Sequence, residues 1–145
     1  MKTNLALIAG ALAASLGLGM TAANAGSSKS SVTQYGYKNG AGGLQTGFKN
    51  SLTIFQRGAR NNVISTQEGS RNTAVIGQEG RYNSATTSQA GRRNIVGVAQ
   101  FGKGQRAVVS QDGNGNAVGV IQAGRNNKAT AHQAGSGNVS VIVQD

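Results

Sequence analysis

The sequence predicts an all-β chain: a β-solenoid of about five two-stranded coils, with a 22-residue period made of 11-residue half-repeats and parallel, in-register stacked strands. Three observations predict it. Gln recurs every eleven residues, at Gln34, Gln45, Gln56, Gln67, Gln78, Gln89, Gln100, Gln111, Gln122, Gln133 and Gln144. Gly stands two residues after each of the first ten, at Gly36, Gly47, Gly58, Gly69, Gly80, Gly91, Gly102, Gly113, Gly124 and Gly135. Three residues further on stands a second side-chain amide, at Asn39, Asn50, Asn61, Asn72, Asn83, Asn94, Gln105, Asn116, Asn127 and Asn138. Three positions held in phase over ten copies exceed chance composition, and such a repeat decides the fold before any local signal is read.

The bulk numbers alone point elsewhere. The chain has 145 residues, 23 Gly, no Pro, Cys or Trp, 37% hydrophobic residues and 4% aromatic ones. So little apolar surface offsets ordering entropy poorly, and disorder is the first expectation. The repeat argues against it, because the few apolar residues fall at fixed phases. The formal net charge of +10 favours acidic partners and keeps copies apart before assembly. Without Cys there is neither a disulfide staple nor thiolate chemistry.

Taken in order, residues 1–25 read as a signal peptide. Lys2 is the basic start, Leu5 to Met20 is apolar with small residues, and Ala23-Asn24-Ala25 suits cleavage. A transmembrane anchor is the weaker reading, since Gly10, Ser15, Gly17 and Gly19 break the run. Residues 26–38 read as a lead-in, with Val32 and Thr33 before Gln34 resembling a degraded half-repeat. Residues 39–145 are the predicted solenoid. Its first unit, Asn39 to Gln45, is Gly-rich and a poor strand.

From Asn50 each unit reads Asn-x-apolar-x-apolar-x-Gln and then x-Gly-x-x. Alternation over seven residues is a strand signal. Gly shortly after it allows positive φ or a tight reversal. A period of two places Asn50, Leu52, Ile54 and Gln56 inward, and the next units follow suit. Branched aliphatics favour alternate units, which predicts two strands per coil with large side chains facing small ones. Buried amides need partners. In-register stacking sets identical residues about 4.8 Å apart, so Gln and Asn can form ladders along the axis. Gln56 is expected between Gln34 and Gln78, and Gln67 between Gln45 and Gln89.

Outward positions divide by sheet. Phe55, Val75, Ile95, Ile121, Val139, Val141 and Val143 make one face apolar, an unusual exposure that can mark a contact surface. Thr66, Ser84, Thr86, Ser88, Arg106, Lys128, Thr130 and His132 make the other polar. Basic residues gather at the turns, including Lys38, Lys49, Arg57, Arg60, Arg71, Arg92, Arg93 and Arg125. They read first as a solubilising edge, and second as a site for acidic polysaccharide or nucleic acid.

Catalytic material is sparse. His132 is the single His, and Glu68, Glu79, Asp112 and Asp145 are the four acids. No metal-ligand spacing or nucleophile motif appears, so no enzyme, cofactor or small-molecule substrate is expected. Assembly fits better. The last unit, Asn138 to Gln144, is the strongest strand in the sequence and carries no evident cap. Val139, Val141 and Val143 are therefore assigned to an assembly end, where one copy's last coil templates the next copy's first. The product would be a fibre with strands across its axis, a functional amyloid.

Gln56-x-Gly58-x-x-Asn61-x-Val63-x3-Gln67 and Gln67-x-Gly69-x-x-Asn72-x-Ala74-x3-Gln78 resemble the curlin repeat. The resemblance runs from Gln34 to Gln144. It implies an extracellular, cell-surface curli fibre subunit exported through an outer-membrane secretion pore with accessory factors. It further implies self-assembly, a second curlin subunit as partner, and roles in adhesion and biofilm matrix. Ser51 fits the Ser that opens each double repeat in major subunits, whereas Thr73, Ile95 and Ala117 do not. The basic turns lean towards a minor, nucleator type, and both roles stay open. The competing class is a monomeric secreted β-solenoid that binds polysaccharide, nucleic acid or ice. For ice, the outward Thr residues are too scattered.

Overall fold

A computed structural model describes residues 27–145; the signal peptide assigned to residues 1–25 lies outside them. Eleven strands follow one another: β1 (Lys29–Tyr37), β2 (Gly40–Phe48), β3 (Ser51–Ala59), β4 (Asn62–Ser70), β5 (Thr73–Arg81), β6 (Ser84–Arg92), β7 (Ile95–Lys103), β8 (Arg106–Asn114), β9 (Ala117–Arg125), β10 (Lys128–Ser136) and β11 (Val139–Gln144). Odd-numbered strands form a six-stranded sheet in the order β1-β3-β5-β7-β9-β11. Even-numbered strands form a five-stranded sheet, β2-β4-β6-β8-β10. All pairs are parallel and every partner lies 22 residues away, as in Gln56 against Gln78 and Gln67 against Gln89. This is the predicted two-stranded coil.

The core is the narrow seam between the sheets. Leu52, Ile54, Ala74, Ile76, Val96, Val98, Val118 and Val120 fill it from the odd strands; Val63, Ala85, Ala107, Val109, Ala129 and Ala131 fill it from the even strands. Ser65 and Thr87 are buried with them, and the Thr87 hydroxyl donates to Ser65 Oγ at 2.8 Å. The large-against-small pattern read from the sequence is present. The buried set is continuous along the axis, so each coil gains its apolar contacts from its neighbours.

Three expectations change. The solenoid starts at Lys29, inside the lead-in assigned to residues 26–38, because β1 pairs with β3 along its whole length. The Gly-rich unit from Asn39 is also a full strand, in register with β4 from Gly40 to Phe48. Weak local preference is overridden at both places by a neighbouring strand that supplies a hydrogen-bonding partner. The strands are also longer than the seven residues expected. Each complete strand spans nine residues and runs through the Gly, leaving a two-residue link such as Arg60-Asn61. The Gly backbones keep pairing coil to coil, with Gly58 opposite Gly80.

Candidate functional site: the stacked amide rungs and the ends of the solenoid

The repeat residues build the site. Gln56, Gln67, Gln78, Gln89, Gln100, Gln111 and Gln122 are buried within the seam, and Gln133 nearly so. Each rung is directional. Gln78 Nε2 donates to Gln100 Oε1 at 2.7 Å and to the Asn62 carbonyl at 3.1 Å, while its own Oε1 accepts from Gln56 at 2.9 Å. One amide thus makes three bonds and links both sheets. The odd-strand ladder runs from Gln34 to Gln144 and the even-strand ladder from Gln45 to Gln133.

The asparagines do something other than the ladder expected of them. Asn61 Nδ2 donates to the carbonyls of Arg57 and Gly80, at 3.2 and 3.1 Å, and its Oδ1 accepts from the Asn83 backbone N–H at 3.1 Å. The side chain is one methylene shorter than Gln and sits at the link, where the chain turns and backbone groups lack strand partners. It therefore satisfies main chain instead of its own kind. Asn39, Asn50, Asn72, Asn83, Asn94 and Asn116 repeat the arrangement. Asn127 and Asn138, in the last coil, keep the bond to the carbonyl four residues back, and Asn138 Nδ2 also donates to Asn116 Oδ1 at 3.2 Å, an Asn-to-Asn rung of the kind expected.

Gln105 holds the same place imperfectly. Its Nε2 reaches the carbonyls of Phe101 and Gly124, yet its Oε1 is buried without a partner. The extra methylene carries the oxygen away from the position where a neighbouring backbone N–H would find it. Ser28 was missed by sequence reasoning. Its Oγ accepts the Asn50 N–H at 3.1 Å, taking the Asn role in the first coil. Stepping back eleven residues from Asn39 reaches it.

The predicted turn glycines have φ between +91° and +122°. At Gly58 a Cβ would stand 1.9 Å from the Gly80 carbonyl oxygen, so close stacking and the left-handed backbone both demand Gly. A second left-handed position two residues later was not legible. Lys38, Lys49, Arg60, Arg71, Tyr82, Arg93 and Asn126 occupy it with φ of 55–60°. Such residues carry strain of roughly 1 kcal/mol or more each. The stacked coil holds them: the Arg60 N–H donates to Tyr37 O at 2.9 Å and the Arg71 N–H to Phe48 O at 2.9 Å.

These links line two basic edges. On one, Arg60 lies against the Tyr82 ring and its guanidinium donates to the Tyr82 hydroxyl. The Lys38 ammonium, 4.9 Å from the Tyr37 ring centre, lowers that phenol below its ordinary range by hydrogen bonding and by charge. On the other edge, Arg71, Arg92 and Arg93 line a cleft of about 340 Å³ with Asn114 and Gly115. Among the described residues there is one salt bridge, Arg57 to Glu79 at 3.7 Å, and it is exposed. His132 stands outward on β10, and no group of three or more His, Cys, Asp or Glu is placed to hold a metal among the described residues.

Val139, Val141 and Val143 project from the outer face of β11, with exposures of 75%, 69% and 67%. The inward residues of that strand are Ser140, Ile142 and Gln144. The stacking edge at this end is the free backbone of β10 and β11 together with two unextended rungs. Gln133 and Gln144 each have a donor directed along the stack. At the opposite end, the oxygens of Gln34 and Gln45 accept no rung bond among the described residues.

A parallel two-sheet solenoid stapled by amide rungs and open at both described ends is a stacking repeat protein. Residues 49–80 and 81–113 each match the curlin associated repeat, so this stretch of the solenoid is built of repeats similar to those of the curlin family. No curated protein and no solved structure matches the chain.

Proposed function

We propose that this protein is a secreted structural subunit of curli-type extracellular fibres, adding end to end into a cross-β stack that supports adhesion and biofilm matrix. The carrying observation is the pair of open solenoid ends, where complementary rungs and unpaired strand edges are presented by a chain of curlin repeats. An edge of this kind recruits another strand of the same register. Curlin-family proteins are secreted fibre subunits, which makes the cell surface the expected location and a second copy the first partner. A second curlin subunit and the outer-membrane pore are further expected partners.

The test is thioflavin T fluorescence and electron microscopy on purified residues 26–145, with and without preformed seeds. Seeded growth of unbranched fibres with a 4.8 Å meridional reflection is expected. A monomer that persists at high concentration without signal would overturn the reading and favour the monomeric binder. Lag-free growth that also seeds a slower homologue would assign a nucleator role; slow growth would assign a bulk subunit.

Acidic polymers are a second partner class, favoured by the three arginines of the Arg71–Arg93 cleft. Retention of fibres on a polyanion resin should fall steeply with salt. Retention that ignores salt counts against this class.

A further inference from the structure

We propose that successive copies join with a half-turn about the fibre axis, so that β1 of one copy lies on β10 of the copy before it and β2 lies on β11. This rests on the fibre reading above and follows from the parity of the fold. The eleven strands of the described residues make five and a half coils. The end formed by β10 and β11 is therefore stepped: the six-stranded sheet extends one strand beyond the five-stranded one. The vacancy lies beside β11, directly over β10.

Two joints fit the step. In a joint without rotation, β1 of the next copy sits on β11 and its β2 follows in the other sheet. The vacancy over β10 then stays unfilled, with nine residues of strand edge facing a slot one strand wide. In the half-turn joint β1 drops into the vacancy and β2 continues on β11. Neither sheet is interrupted.

The rungs favour the second joint. Continuing the 22-residue register places the next copy's Gln34 on Gln133 and its Gln45 on Gln144, so both unextended donors meet both open acceptors. The link positions agree. Asn127 and Asn138 have no further coil above them among the described residues, and the half-turn joint lays the next copy's Ser28 and Asn39 on them. These are the two residues that begin the same series at the other end. Inward, Val32 of the next copy covers Ala131 and Gly43 covers Ile142; this departs from the like-on-like stacking within each sheet, as of Ile54 on Ile76, and is carried by the rungs on either side. One like-charge pair results, Lys29 on Lys128. The chain already accepts that pairing where Lys128 lies on Arg106. Without rotation, Gln133 and Gln45 would be two strand spacings apart and could not bond.

The consequence reaches the fibre surface. Phe55, Val75, Ile95 and Ile121 lie on the outer face of the six-stranded sheet. A half-turn at each joint moves this apolar face to the opposite side of the fibre every subunit, roughly every 26 Å for five and a half coils at strand spacing. No continuous apolar stripe runs along the fibre to drive lateral bundling.

The chain has no Cys, so paired cysteines report the joint cleanly. Ser31, Thr130 and Val141 are outward and exposed. In the half-turn joint Ser31 of one copy lies one strand spacing from Thr130 of the other. In the unrotated joint it lies that close to Val141. Fibres of S31C/T130C and of S31C/V141C, verified by microscopy, would be treated with a thiol crosslinker spanning less than about 10 Å, two strand spacings. After dissolution in formic acid they would be sized by electrophoresis. A ladder of covalent oligomers is expected from S31C/T130C, at least ten-fold above S31C/V141C. The reverse ratio, or no ladder from either pair, overturns the half-turn while leaving the fibre reading intact. Wild-type fibres provide the second measurement, by electron cryomicroscopy. A subunit rise of roughly 26 Å with about half a turn supports the joint; a rise of six strand spacings, roughly 29 Å, without that rotation overturns it. Absence of fibres from the wild-type chain would instead sink the fibre reading, and this inference with it.

Discussion

Gln105→Asn should make this protein more stable, although it removes a buried methylene. Gln105 is the rung position that departs from Asn in the link series, and its Oε1 is buried without a partner. At the equivalent positions the carbonyl oxygen accepts a backbone N–H from the next coil at 3.0–3.1 Å, as Asn83 does from Gln105 and Asn94 from Asn116. No such bond joins Asn127 to Gln105. An unsatisfied buried acceptor costs about 1–3 kcal/mol. Losing one buried methylene costs about 0.8 kcal/mol. Taking the middle of the first range, the substitution gains about 1 kcal/mol, roughly a five-fold shift in the folding equilibrium. The assay is urea unfolding of dilute residues 26–145 followed by far-ultraviolet circular dichroism, before assembly begins. The midpoint should rise with the slope unchanged. Gln105→Ala is the control: it also removes the bonds to Phe101 and Gly124 and should lower the midpoint. If Gln105→Asn leaves the midpoint unchanged or lowers it, the account of the link amides as backbone brackets is wrong.

The glycines divide sharply. Gly58→Ala forces a Cβ within 1.9 Å of the Gly80 oxygen at φ +118° and should cost about 3 kcal/mol or more, seen as lost seeded growth, whereas Gly77→Ala meets open space and should be neutral or slightly stabilising in the same unfolding assay. Gln78→Leu keeps the volume but deprives Gln100 Oε1 and the Asn62 carbonyl of a donor; a loss of about 2–4 kcal/mol is expected from urea midpoints, and a loss under about 0.5 kcal/mol would remove the ladder from the account of stability. Glu79→Gln breaks an ion pair whose side chains are 67% and 53% exposed, so the midpoint should move by less than about 1 kcal/mol at any salt concentration.

The sequence by itself determined the period, the inward set and the two-sheet coil. Identical residues stacked in register must share an environment, so a position that tolerates burial in one coil tolerates it in all. The Gln rungs were legible for the same reason, since a buried inward Gln repeated every 22 residues on one sheet has its own copy within reach one strand spacing along the axis. The bonds of Asn61 were not legible. Gln and Asn carry the same amide, and only the position of the link decides whether that group reaches another side chain or a carbonyl. Nor were the left-handed φ values of Arg60, Arg71 and Tyr82, residues whose own preference is against it; the bonds from their backbone N–H groups to the neighbouring coil impose them. The strands at Lys29–Tyr37 and Gly40–Phe48 belong to the same class. Their side chains say little, and they are strands because β3 and β4 offer an edge to pair with. Local chemistry set which residues face inward. The count of strands that join the stack, and with it the stepped end, was decided by pairing across 22 residues, a long-range energy that no local window contains.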